Sequence, residues 1–201
     1  MFITFEGGDG SGKSTQIGLL AEVFAARGMD FVRTREPGGT RIGEKIRALI
    51  LDPENAEMAD VTEMLLYAAT RAQLAREVVA PALAEGKAVL CDRWVDSSLV
   101  YQGVARGLGR AVAEVNHHAT AGIVPDLTVL LDIDPAVGLA RARGETALDR
   151  IEAEGLAWHE RVRAGFLALA EKHPERYFVV DASGTPEAVH AEIAARVEAL
   201  L

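Results

Sequence analysis

The sequence predicts an α/β fold, a five-stranded parallel sheet with helices on both faces and a short lid. Short apolar or β-branched runs alternate with longer helical patterns from one end of the chain to the other. The strand runs are continuously apolar, as in Leu127-Thr128-Val129-Leu130-Leu131, which suits a sheet covered on both sides. Between the first strand and the first helix stands Gly7-Gly8-Asp9-Gly10-Ser11-Gly12-Lys13-Ser14. Its G-x-x-x-x-G-K-[ST] spacing is that of the phosphate-binding loop of P-loop NTPase-type sandwiches.

Taken in order, strands are predicted at 2–6, 31–34, 88–92, 127–133 and 176–181. Helices are predicted at 14–27, 42–51, 60–85, 96–105, 110–121, 135–142, 152–173 and 186–200. Strands separated by helices imply parallel crossovers. No repeat, low-complexity stretch or linker divides the chain, so residues 1–201 are expected to form a single domain. With 49% hydrophobic and 25% charged residues the chain reads as globular, and a net charge of −9 argues against a nucleic-acid surface. The lone cysteine, Cys91, excludes an internal disulfide and reads as a buried strand residue. The first strand is predicted from residue 2, so no leader is expected, and no apolar run is long enough to span a membrane. A cytoplasmic enzyme is therefore expected.

The loop's composition follows from its chemistry. Glycines let successive backbone N–H groups of residues 7–12 turn inward around a phosphate. Lys13 adds a cation for the terminal phosphates, Ser14 offers a hydroxyl to Mg²⁺, and the helix running on through Thr15 points its positive end at the anion. Gly7 to Thr15 are accordingly the ATP-binding candidates. The other candidates fall at or after strand ends, where ligands bind in such sheets. Arg33 and Arg35 precede the Glu36-Pro37-Gly38-Gly39-Thr40 loop and suit an anion. Tyr67 and Arg71, four apart on a helix, can stack on a base and bond its edge. Asp92 can join Ser14 at the metal, and Arg93 adds a phosphate clamp. Ser98, Tyr101 and Gln102 follow on the next helix, placed to read base and sugar together.

These stretches, with Leu148-Asp149-Arg150-Ile151-Glu152 near the lid, resemble the thymidylate kinase family nearly end to end. The phosphate loop alone says only P-loop protein. Arg35-Glu36-Pro37-Gly38-Gly39-Thr40, Asp92-Arg93-Trp94 and Tyr101-Gln102-Gly103 are far more specific. The resemblance implies transfer of the ATP γ-phosphoryl group to dTMP, with Mg²⁺, in a homodimer. It places Lys13 on the ATP phosphates, Asp9 beside the acceptor sugar and phosphate, and Arg35 and Arg93 on the dTMP phosphate. Tyr67 stands where the family usually stacks phenylalanine on thymine. Arg71 would bond a thymine carbonyl, Ser98 and Gln102 would meet the base edge, and Tyr101 would fill the space below C2′.

The lid is expected at about residues 141–152. The family carries its catalytic arginine either in the phosphate loop or in the lid. Gly10 occupies the loop position, so this chain resembles the lid-arginine kind. The segment from Gly144 to Asp149 is longer than the compact family form, which leaves Arg143 and Arg150 both as catalytic candidates and Arg141 as the one for the adenine side. Another nucleoside monophosphate kinase or a deoxynucleoside kinase is the nearest rival reading. A GTP switch is a more distant one, as there is no Asn-Lys-x-Asp signature.

Overall fold

The computed structural model describes residues 1–142 and 149–201. Strands β1 (Phe2–Glu6), β2 (Phe31–Arg35), β3 (Ala88–Asp92), β4 (Leu127–Asp132) and β5 (Tyr177–Asp181) form one sheet. Its order is β2-β3-β1-β4-β5 and every neighbouring pair is parallel. Thr4, at the centre of β1, pairs with Cys91 on one side and Thr128 on the other. Helices α1 (Lys13–Ala26), α2 (Arg41–Leu51), α3 (Asp60–Leu74), α4 (Ala80–Ala84), α5 (Val95–Ser98), α6 (Arg110–Thr120), α7 (Pro135–Ala142) and α8 (Leu156–Lys172) lie between the strands, and α9 (Pro186–Glu198) follows β5. No helix among the described residues is long and apolar enough to cross a membrane.

Side chains alternate across the sheet and find cover on both faces. Ile3 and Phe5 pack with Leu20 and Phe24 of α1 and Ile193 of α9. Phe2 looks the other way, onto Leu74, Val79 and Trp94, with its ring edge-on to Trp94 at 5.3 Å. Further along that second face, Leu130 joins Tyr101, Trp158 and Phe166. This double cover is why the strands are apolar throughout, and with the glycine-rich loop between β1 and α1 it gives an α/β sandwich of the P-loop NTPase type.

The helical pattern at 60–85 is not one uniform helix. A π turn at Ala75–Val79 separates α3 from α4. Pro81 has no N–H for the carbonyl of Glu77 and its ring crowds that carbonyl, so a wider turn relieves the clash. The helix expected from residue 152 begins at Leu156. Before it, Asp149 Oδ1 accepts from the N–H groups of Ile151 and Glu152, both at 2.8 Å, and Glu152 Oε2 accepts from Asp149 N at 3.1 Å. This reciprocal turn competes successfully with helix. In the helix predicted at 96–105, α5 passes into π winding over Leu99–Ala105. Tyr101 and Gln102 therefore project from a widened turn, a winding frequent at functional sites.

Candidate active site

The phosphate loop leaves β1 at Gly7 and enters α1 at Lys13. Gly7 has φ 138°, and a Cβ there would lie 2.5 Å from the carbonyl oxygen of Leu131. Only glycine lets the loop run this close to β4. Lys13 Nζ donates to the carbonyls of Gly8 at 2.8 Å and Gly7 at 3.2 Å. Burial, followed by the charge of Arg93, lowers its pKa to about 8. Ser14 Oγ donates to Asp92 Oδ2 at 3.0 Å, and Asp92 Oδ1 is buried without a partner. Such oxygen donors fit a hard cation such as Mg²⁺. Among the described residues no three His, Cys, Asp or Glu side chains converge on a metal position, so most other ligands of such a cation would be phosphate oxygens and water.

Arg93 ties this loop to β3. Its φ of 67° is a left-handed backbone that costs a non-glycine residue about 1–3 kcal/mol. Its surroundings hold it there. The backbone N–H donates to Phe5 O at 2.9 Å, and the Cys91 thiol donates to its carbonyl at 3.0 Å. The guanidinium donates to Gly7 O at 2.9 Å, Ser97 Oγ at 3.2 Å and Asp9 Oδ1 at 2.8 Å, and lies 5.2 Å over the Tyr101 ring. The other Asp9 oxygen is buried and unpartnered, with His159 Nδ1 4.0 Å away.

Beside Arg93 opens a cleft of about 650 Å³. Asp9, Tyr67, Arg71, Arg93, Ser98, Tyr101 and Gln102 all line it. Chain positions from 9 to 102 thus meet at one place. Arg71 is only 1% exposed. It donates to Ser98 Oγ at 2.9 Å and to Asn116 Oδ1, and stands 3.7 Å from Glu36 Oε2, while its Nε has no partner. Gln102 donates to Glu63 at 2.8 Å, leaving its amide oxygen unpaired. The Tyr101 hydroxyl is unpaired as well, and burial pushes the Tyr67 and Tyr101 hydroxyl pKa values upward. Buried donors and acceptors without partners are costly. Their arrangement around a cleft suits a polar planar ligand.

Other candidates stand elsewhere. Arg35 does not line this cleft. Its guanidinium makes two hydrogen bonds to the Glu44 carboxylate, at 2.9 and 3.0 Å, beside Ser14 and Asp92. Glu44 also accepts from Gly39 N at 2.8 Å, which keeps it next to Arg35. Arg150 donates to Glu63 Oε2 at 2.6 Å and to Ile50 O at 2.9 Å, while its neighbours Asp149 and Ile151 line the cleft. A nearly buried ion pair holds it there, so Arg150 would have to leave Glu63 to reach a transferred phosphoryl. Arg143, the alternative, lies outside the described residues. Arg141 donates to the carbonyls of Ala182 at 2.9 Å and Ser183 at 3.1 Å. It shares a recess with Gly10, Ser11, Gly12 and Thr15.

Buried acids and a histidine supporting the site escaped the sequence reading. Glu6 accepts from Ser97 Oγ at 2.6 Å and from Trp94 N at 2.8 Å. Glu63 ties together Gln102, Arg106 and Arg150. Glu36 accepts from Thr70 Oγ1 at 2.8 Å. His159 is nearly fully buried. An acid ending an otherwise apolar strand, as Glu6 does, was the one available signal.

Burial raises the pKa of Glu6 and of Glu36 to about 7. The folded chain therefore binds more protons than the unfolded chain between about pH 4.5 and 7. Their contribution to stability falls as pH rises through that window. Glu36→Gln is expected to flatten this fall, by an amount on the order of 1–3 kcal/mol, in urea unfolding across the window. An unchanged slope would contradict the placement of this carboxyl.

The chain is similar to known proteins over nearly its whole length. The model of the family described as "Thymidylate kinase" matches residues 5–193. A thymidylate kinase of Desulforapulum autotrophicum is 51% identical over 201 residues, covering 96% of this chain and 88% of that protein. One from Pelotomaculum thermopropionicum is 51% identical over 202 residues, covering 100% of this chain and 94% of its own. The crystal structure of thymidylate kinase from Ehrlichia chaffeensis is similar with a TM-score of 0.81 and 32% identity, covering 98% of both chains.

Proposed function

The chain belongs to the thymidylate kinase family, and on that premise we propose that the cleft and phosphate loop transfer the ATP γ-phosphoryl group to dTMP, giving dTDP and ADP. The observation that carries this reading is the junction at Arg93. One guanidinium touches the phosphate loop at Gly7 and faces the cleft lined by Tyr67, Arg71, Ser98 and Gln102. A phosphate-binding cradle and a base-sized cleft therefore share a wall.

The acceptor is an anionic phosphate oxygen at neutral pH, so no strong general base is needed. The obstacle is bringing two highly charged groups into line, and positioning with charge stabilisation lowers it. Lys13 and the loop amides hold the ATP phosphates, and Arg93 holds the acceptor phosphate in line. Asp9 sets the angle of Arg93. Tyr67 stacks on the thymine, while Arg71, Ser98 and Gln102 read its edge. Tyr101 fills the space beneath the sugar. Arg35 reaches the acceptor phosphate only by leaving Glu44, and Arg141 flanks the adenine.

Ser14 and Asp92 would hold Mg²⁺, which when bound supplies positive charge to the phosphate oxygens. The kinase domain spans residues 1–201, with residues 141–152 as its lid. Leu49 of α2 and Val61 and Leu65 of α3 are large apolar side chains at least half exposed on adjacent helices. They support a homodimer through this face. Sedimentation of Leu65→Glu as a monomer, against a wild-type dimer, is the expected result.

A coupled assay across dTMP, dUMP, AMP, CMP and thymidine tests the reaction. ADP release is expected to be fastest with dTMP and lost with thymidine, which brings no phosphate to Arg93. Preference for AMP or CMP, or turnover of thymidine, would overturn the assignment.

A further inference from the structure

We propose that Gly138 is a positioning residue for the ATP half of the site. In this arrangement α7 is the wall on which the phosphate loop rests, and the two backbones meet only because glycines face each other. A Cβ on Gly10 would overlap the carbonyl oxygen of Gly138 and lie 2.8 Å from its carbonyl carbon and 3.1 Å from Ala142 N. A Cβ on Gly138 would lie 2.5 Å from the carbonyl oxygen of Asp9 and 3.3 Å from Ile133 Cγ2. The crowding is largely backbone against backbone, so rotamer changes cannot relieve it and one element must move. Among the other loop glycines, Gly7 meets the Leu131 carbonyl of β4, not α7, and nothing lies within 4 Å of a Cβ built on Gly8 or Gly12.

The same helix carries Arg141 one turn further on, bound to the carbonyls of Ala182 and Ser183. Arg141, Gly10, Ser11, Thr15, Ala182 and Pro186 line one recess of about 760 Å³. Thus α7 touches the phosphate loop with one turn and walls the adjoining recess with the next. Displacing it at residue 138 shifts the phosphate cradle and Arg141 together. The contact also closes residue 10 to any side chain, since the space where one would begin is filled by α7 backbone.

The inference rests on reading this recess and the loop as the ATP site, so its test separates the two ideas. In the full-length Gly138→Ala enzyme, KM for ATP is expected to rise about tenfold, with ADP affinity falling in parallel, while KM for dTMP rises clearly less, by about threefold, through the displaced Asp9. Gly165→Ala is the matched control. Its Cβ would come 3.0 Å from Val100 Cγ1, at a helix contact away from the recess, and it is expected to leave KM for ATP unchanged. An unchanged KM for ATP in Gly138→Ala, or equal losses for both substrates, would overturn the proposal.

Should Gly138→Ala not fold, hydrogen exchange in the wild-type enzyme decides. The amides of α7 are expected to slow on adding ADP and not on adding dTMP alone. Exchange in α7 that ignores ADP overturns the proposal even though ADP binds. Failure of the wild-type protein to bind ADP at all would sink the underlying reading of the recess, and the proposal with it.

Discussion

Replacing Arg93 with alanine is expected to lower kcat about a thousandfold, the loss typical of removing a charge aimed at a transferring phosphoryl group. The effect follows from the number of contacts one guanidinium makes. It donates to Gly7 O, Ser97 Oγ and Asp9 Oδ1, and so fixes the phosphate loop relative to the end of β3. Alanine removes the charge and the brace together, and leaves Asp9 without its cation. Lysine keeps the charge but has one nitrogen for three acceptors, so Arg93→Lys is expected to recover only a small part of the loss. Steady-state kinetics at saturating ATP and dTMP measures both variants. Turnover within about tenfold of wild type in Arg93→Ala would mean that the acceptor phosphate is held by other groups.

The second large effect is expected at Arg71. Arg71→Gln should raise KM for dTMP about a hundredfold while changing KM for ATP little, because a site built around buried hydrogen-bonding groups discriminates strongly when one is lost. Arg71 is buried, bonded to Ser98 and Asn116, and faces Glu36. Removing a buried cation ordinarily costs about 3–5 kcal/mol because its partner is stranded. Here the Glu36 pKa already stands near 7, so the carboxyl can take up a proton in place of remaining a stranded anion. The variant is therefore expected to fold, and to be relatively more stable at lower pH. A KM for dTMP within about threefold of wild type would remove Arg71 from base recognition.

The features legible in the sequence are those whose causes are local. Continuous apolar strands declare a sheet covered on both faces, and all five strands form that sheet. The glycine spacing of the phosphate loop is a backbone requirement, as Gly7 against Leu131 illustrates. The spacing of Tyr67 and Arg71 is a helical repeat, and both line the cleft. Partners chosen by the tertiary fold were not legible. Arg35 is held by Glu44, and Arg150 by Glu63, a residue 87 positions away. Glu44 lies only nine residues from Arg35 but is brought to it by the turn at Gly39, and nothing near Arg150 announces Glu63. The π winding over Leu99–Ala105 leaves no clear local mark, although Pro81 accounts for the earlier one. Gly138 reads simply as a helix residue until the phosphate loop is seen resting on it.

The most direct measurement is titration with a bisubstrate compound, adenosine and thymidine joined through their 5′ oxygens by a phosphate chain. If the cradle at Lys13 and the cleft at Arg71 face each other across Arg93, one molecule should bind per chain and displace ADP and dTMP together, more tightly than either nucleotide alone. Displacement of only one nucleotide, or two molecules bound per chain, would show that the two sites do not meet phosphate to phosphate.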